Sequence, residues 1–338
     1  MKTNDFAYYI QKFFVQYMPD EIGASINTLA SYRDSYILLL RFLKERYEMP
    51  AEKVAIKDLT RDKVMAFLDW LEKERSCSVY TRNNRLAAIH SFIKYLQYEY
   101  PDYAEEYIKI LRIPFKKGKR TEMAWLPPEA IKELFNQCDT SSTKGYRDYF
   151  MLYLMYETGI RVSEVLNIQI KDFRKTKPYH LKVLGKGNKE RLIPLQEFVI
   201  DKLKKYLELN GWLDGPETHL LFVNPSGGQL TRQGVACVLK KYVEKARKSK
   251  PELFPNKTSP HTLRHSKAMH LVQQDVNLIY IRDLLGHKSI VTTQVYARAD
   301  SKRKYDAIVG AYRELVTKEE PEWRNSSTLA FLESFLKK

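Results

Sequence analysis

Tyr296 closes the run Leu-Gly-His-Lys-Ser-Ile-Val-Thr-Thr-Gln-Val-Tyr (285–296), which also holds His287. Upstream lie His261-Thr-Leu-Arg264-His265 and, earlier still, Gly159-Ile-Arg161-Val-Ser-Glu164. Between these two clusters stands a glycine-flanked turn, Gly-Lys-Gly-Asn-Lys-Glu-Arg (185–191), carrying Lys186. A phenol has a pKa of about 10 in water, so it becomes a nucleophile only beside a base and in positive surroundings. His261 and two arginines would supply both. Arginine forks bind non-bridging phosphate oxygens bidentately. Negative charge grows on those oxygens in the transition state, so that contact accelerates as well as binds. A lysine against a departing 5′-oxygen can protonate it. These groups are the ones needed to break and rejoin a phosphodiester without a metal.

Local sequence says how the groups are carried. Ser259-Pro260 reads as an N-cap with proline at the first helical position, which puts His261 and Arg264 in the first turns. At i and i+3 they share a face, and that face continues through His265, Ala268, Leu271 and Val272. Arg264 therefore sits on a core-facing stripe, where a guanidinium is costly unless it meets an anion; a structural arginine–carboxylate pair is the other reading. His261 and His265 have the spacing of a zinc-binding helix, but Thr262 stands where the catalytic glutamate would be. Arg161 opens a helix, expected over 162–168, after the Thr158-Gly159 break. Helix amides, positive charge and glycine favour phosphate there, and Glu164 is placed to orient the guanidinium. Lys186, on a hairpin tip, lacks the spacing of a nucleotide-binding loop; alone it reads as a surface lysine. Gly286-His287 and Thr292-Thr293 put Tyr296 on a short helix after a tight turn.

The elements that must hold these residues fall into two regions. Residues 1–111 carry four apolar stripes at helical spacing, among them Phe6, Tyr9, Ile10, Phe13 and Tyr17, with Thr60 as an expected N-cap. The fourth helix, about 78–97, starts with Arg82, Asn83, Asn84 and Arg85, side chains suited to phosphates and base edges; a solvated helix end is the alternative. Arg112-Ile-Pro-Phe-Lys-Lys-Gly-Lys-Arg120 is basic, broken by Pro114 and Gly118, and reads as a linker. Its Lys116, Lys117, Lys119 and Arg120 would lie along a DNA backbone with strong salt dependence. Beyond Trp125-Leu-Pro-Pro come a helix at 129–137 and a helix at 146–157, the latter apolar nearly all round and hence central. A short β region follows, with strands at 180–184, 191–195 and 221–223, then helices at 231–246, 260–273 and 277–285. The spacing predicts a mainly α fold with a small antiparallel β-sheet.

Composition sets the class of partner. Lysine and arginine number 57 against 41 acids, a formal charge of +16, which favours a polyanion and makes nucleic acid the default. Hydrophobic residues make up 44%, enough to bury real cores. Cys77, Cys138 and Cys237 form neither a CxxC pair nor a disulfide framework, which suits a reducing compartment. The first residues carry an acid where a signal peptide needs an apolar core, and no apolar run is long enough to span a bilayer. The expectation is a cytoplasmic protein with no membrane partner.

The motifs resemble the tyrosine recombinase (phage integrase) family, most of all its Xer-like and transposon-borne bacterial members. The order Arg, Lys, His-x-x-Arg, His, Tyr is similar to that family's active site. The resemblance implies that Arg161 and Arg264 clamp the phosphate and that Lys186 is the general acid. By the same resemblance His261 transfers a proton, His287 fills a position held by histidine or tryptophan, Tyr296 is the nucleophile and Glu164 supports the first arginine. It covers about residues 125–310, and more loosely the amino-terminal helices. It implies a SAM-like core-binding domain (1–111), a basic linker (112–124) and a catalytic domain (125–316), closed as a C-shaped clamp on DNA. No cofactor is expected. The expected partners are double-stranded recombination sites and further copies of the chain, a dimer on one site and a tetramer in synapsis. Residues 317–338 form a longer tail than compact Xer-type members have. Its stretch 327–336 reads as an amphipathic helix for docking on a neighbouring subunit, with packing in cis as the alternative. The implied activity is site-specific recombination by a mobile-element integrase or transposase. A chromosome-dimer resolvase, a type IB topoisomerase and a non-catalytic DNA-binding regulator stand as alternatives.

Overall fold

The computed structural model describes residues 5–118, 123–185, 189–299 and 332–333. Two compact units divide the chain, one up to Thr121 and one from Glu122.

The first unit is all helical. α1 (Asp5–Lys12) runs into a π-helix, Phe13–Glu21, and is followed by α2 (Ile26–Tyr47), α3 (Arg61–Lys73), α4 (Val79–Glu99) and α5 (Ala104–Leu111). Thr60 caps α3 by accepting from the Lys63 N–H, and Ser25 and Ser78 do the same for α2 and α4. The core is rich in aromatics. Phe13 and Phe6 each meet Phe92 edge-on, and Phe42 lies against Phe67 and Trp70. α5 goes beyond the four helices expected. It is short, eight residues with Ala104, Tyr107, Ile108 and Leu111 at helical spacing, and Tyr107 and Ile110 are fully buried.

The second unit is built around α7 (Thr143–Thr158), which α6 (Pro128–Asn136) precedes and α8 (Val162–Val165) follows. α8 stops earlier than expected, because Leu166 and Asn167 leave the helix for a turn. A three-stranded antiparallel sheet comes next, β1 (Phe173–Arg174), β2 (His180–Leu184) and β3 (Glu190–Pro194), in the order β1-β2-β3. Leu181 pairs with Ile193 and Val183 with Arg191. The 221–223 segment expected as a strand forms only an isolated bridge, Val223 with Gln229; β1, of two residues, is the third strand instead. α9 (Glu197–Leu209), α10 (Arg232–Ser249), α11 (Pro260–Gln273), α12 (Leu278–Leu285) and α13 (Ile290–Ala299) complete the unit. α7 and α11 pack together, and α11, α12 and α13 pack on one another. Ala268, Met269, Val272, Ile281, Leu285 and Tyr296 make a small apolar cluster there. Tyr296 is thus held by the same packing that joins the last three described helices.

Candidate active site

Two helix ends bring the arginines together. α7 stops at Gly159, in a left-handed conformation at φ +60°, and a Cβ there would come within 2.7 Å of Leu285 Cδ2. α12 stops at Gly286 with φ +63°, where a Cβ would press on the Arg191 guanidinium at 3.0 Å. Only glycine allows both this backbone turn and this approach. The chain leaving the first glycine delivers Arg161, and the chain leaving the second delivers His287.

Glu164 organises one side of the site. One of its carboxylate oxygens accepts from the Arg161 backbone N–H at 2.8 Å and the other from Arg161 Nη1 at 3.0 Å. Arg191 forks onto the same carboxylate at 3.0 and 2.8 Å and donates from Nε to the Leu284 carbonyl at 3.1 Å. Arg161 Nη2 reaches the Gly286 carbonyl at 3.1 Å. Burial alone would push the Glu164 pKa up, but the hydrogen bonds from Arg191 and Arg161 and their charges outweigh it and hold the carboxyl below its ordinary value.

Arg264 is 3% exposed. Its Nη1 donates to the Gly159 carbonyl and its Nη2 to the Leu285 carbonyl, both at 2.6 Å. The arginine–carboxylate pair offered as the structural alternative is not formed among the described residues. Burial and the neighbouring Arg161 charge lower its pKa to about 10, which leaves it fully charged at neutral pH. Three guanidiniums therefore converge where Glu164 is the one carboxylate they contact among the described residues. An uncompensated positive cluster inside a protein is an anion site.

Tyr296 lies beside it, 2% exposed. Burial raises its pKa, while the charges of Arg264 and Arg161 pull it down. Its hydroxyl stands 2.9 Å from His265 Nδ1. His261, expected as its partner, instead lies with its ring 6.3 Å from that of His265. His287 stacks nearly parallel to the Tyr296 ring at 6.3 Å and hydrogen-bonds Thr293 through Nδ1 at 2.9 Å. Partial burial and then the neighbouring charges lower His265 and His287 to about 4, while His261, exposed at the edge, is lowered from its ordinary value by desolvation on its inner side and by Arg264 and Arg161.

The structure thus gathers Arg161, Glu164, Arg264, His287 and Tyr296, with His261 at the edge. Lys186 lies outside the described residues, although β2 and β3 bring the chain to either side of it. Two members of the site were missed from sequence. Arg191 had a usable signal: strand alternation puts it on the inward face with Ile193, where β3 alternates exposed and covered positions. His265 shows in sequence only as a point on the α11 face and as half of a zinc-like histidine pair, with nothing to link it to Tyr296. Among the described residues no cluster of three or more histidines, cysteines or acids could hold a metal ion.

The residues expected to contact DNA in the first unit sit differently. Arg82 is 2% exposed and donates to the Pro114 carbonyl and to Asn83 Oδ1. Asn83 exchanges two hydrogen bonds with the Lys116 backbone, and Arg85 donates to Ser31 and Ser35 on α2. These three brace the fold: they fix the chain at Pro114–Lys116 against α4, so the start of the expected linker is packed, with Ile113 buried. The free guanidinium expected at Arg82 is absent, because its side chain is turned into the interior. Lys116 is exposed and paired with Glu72 at 2.5 Å, and Lys117 is exposed. Lys119 and Arg120 lie outside the described residues.

Residues 124–303 match the phage integrase family, and residues 11–99 match the phage integrase N-terminal SAM-like domain. The chain belongs to the phage integrase family. As a tyrosine recombinase it falls among enzymes that cleave and rejoin DNA. An integrase/recombinase of Sinorhizobium fredii is 33% identical over 302 residues, spanning 88% of this chain and 89% of the relative. The tyrosine recombinase XerC of Herpetosiphon aurantiacus is 34% identical over 304 residues, covering 87% and 92%. The fold is shared with the XerH recombinase bound to its difH substrate in a post-cleavage complex, at a TM-score of 0.69 and 23% identity, covering 85% of this chain and 80% of that one. It is also shared with the Tn1549 transposon integrase in complex with circular-intermediate DNA, at 0.66 and 17%, covering 89% and 100%.

Proposed function

We propose that this recombinase is the integrase of a mobile element and that Tyr296 is its nucleophile. The observation that carries the reading is the surplus of guanidinium beside a buried tyrosine: Arg161, Arg191 and Arg264, with Glu164 the one carboxylate they contact among the described residues. A DNA phosphate fits that surplus, with Arg161 and Arg264 on its non-bridging oxygens. Attack by the Tyr296 oxygen forms the bond to phosphorus and breaks the bond to the 5′-oxygen, leaving a 3′-phosphotyrosyl link and a 5′-hydroxyl. Lys186 gives the departing oxygen its proton. The phenol proton is taken up by His261 at the edge of the site. The 5′-hydroxyl of a second strand reverses the step. The covalent link keeps the bond energy, so neither nucleotide nor metal is consumed. Both units act on the same recombination site, as a dimer on one site and a tetramer in synapsis.

The test is a nicked suicide duplex, made from the DNA flanking the gene, run on a denaturing gel in EDTA. Wild type is expected to give a covalent adduct, and Tyr296→Phe to bind equally but give none. Strand cleavage retained in Tyr296→Phe would end the assignment.

A second reading has one observation behind it, the likeness to XerC proteins: an Xer-type resolvase of chromosome dimers. Adduct formation on chromosomal terminus DNA, with none on the flanks of the gene, would favour it.

A further inference from the structure

We propose that His265 is a positioning residue for the nucleophile, its Nδ1 accepting the hydrogen bond that keeps the Tyr296 hydroxyl docked among the arginines. This rests on the reading of Tyr296 as nucleophile. The two atoms are 2.9 Å apart and the rings 5.7 Å apart. Tyr296 is 2% exposed, so a hydroxyl proton without an acceptor would carry the cost of an unmade hydrogen bond. Among the described residues His265 Nδ1 is the acceptor within reach of that hydroxyl, so in this arrangement the tyrosine donates and Nδ1 is unprotonated. The charged and titratable groups acting on the pair are His261 and Arg264 from α11, which both disfavour a protonated His265 imidazole, and Arg264 and Arg161, which act on the Tyr296 hydroxyl.

His265 and Tyr296 belong to α11 and α13, so the hydrogen bond also fixes the distance between those helices at the site. With the proton directed at His265, the lone pairs of the phenol oxygen are left to face the guanidiniums and the phosphate they would hold. Holding a nucleophile in its attack position is worth orders of magnitude in rate. A residue that does this alters cleavage without altering DNA affinity.

The full-length chain tests it through two measurements. In the first, the DNA-free protein is treated with tetranitromethane, and nitration of Tyr296 is followed by peptide mass spectrometry. Tyr296 is expected to nitrate about fivefold faster in His265→Leu than in wild type, the effect of losing one buried hydrogen bond. In His265→Asn, whose amide oxygen can stand in for Nδ1, it should stay near the wild-type rate. In the second, single-turnover adduct formation on the nicked duplexes should fall about tenfold or more in His265→Leu. It should recover in His265→Asn, with duplex affinity and melting temperature alike in both variants. Equal nitration in wild type and His265→Leu overturns the proposal, as does an asparagine variant that cleaves no better than the leucine one. Absence of adduct with wild type on every duplex would count against the recombinase reading, while the nitration result would still decide the role of His265.

Discussion

Lys186 and the two site histidines carry predictions at the scale of single residues. If Lys186 protonates the 5′-oxygen, Lys186→Ala should slow cleavage by about 10²–10⁴-fold, the usual size of general acid catalysis. On a duplex with sulfur in place of that oxygen, a leaving group that needs no proton, the loss should nearly vanish. Equal slowing on both duplexes would remove lysine from the acid role. His265 and His287 each fall to about 4 from 6.5, chiefly through partial burial. The fold keeps them neutral while the unfolded chain takes up protons, so their contribution to stability is complete above 6.5 and is lost as pH falls towards 4. Glu164, held below its ordinary 4.5, extends the loss further down. Melting temperature should therefore drop through that window, less steeply in a His265→Asn, His287→Asn double variant. A wild-type melting temperature that stays flat from pH 7 to 4 would contradict the burial of these rings.

At the scale of elements, Arg191 ties β3 to the start of α8 and the end of α12. Its side chain is 13% exposed, and the Glu164 carboxylate it clamps is 4% exposed. Arg191→Leu would leave that carboxylate with Arg161 alone, and breaking such a buried pair costs about 3–5 kcal/mol. Urea unfolding should show a loss of that order. Adduct formation should fall as well, because the carboxylate that holds Arg161 would lose its second partner and β3 would lose its tie to α8 and α12. A stability change under about 0.5 kcal/mol, the range of ordinary surface substitutions, would show that the fork carries no weight.

The tail belongs to the scale of the whole molecule. Of residues 317–338 the structure describes Leu332 and Glu333, which are helical and exposed, Leu332 at 59%; the rest of the expected helix lies outside the described residues. The sequence spacing of Leu329, Leu332 and Phe335, on one side of an expected helix, is what makes a partner copy of the chain the expected dock. Deleting residues 322–338 is expected to leave single-site cleavage near normal and to abolish synapsis of two sites, read by native gel and by recombinant product. Intact synapsis in the truncated chain would rule out docking in trans.

The sequence alone determined the helical class, the Thr60 cap, the α7 terminus at Gly159 and the identity of five gathered side chains, Arg161, Glu164, Arg264, His287 and Tyr296. The caps, the glycine break and the helices are legible because they are local; Arg264 stands out as a charge on a core-facing stripe, and the other four are picked out by their motifs and by the family resemblance those motifs carry. α5 had a readable apolar spacing, Ala104, Tyr107, Ile108 and Leu111, but spans barely two turns after Pro101, and the third strand escaped because two residues make no alternation. What only the tertiary structure decided is who touches whom. Arg82 looks free in sequence, but the segment around Pro114, some thirty residues further on, covers it. Arg264 could have met an acid, and the two glycine turns offer it carbonyls instead. The choice of His265 over His261 as partner of Tyr296 depends on where α13 packs across α11, a contact between residues far apart in the chain that no spacing within α11 contains.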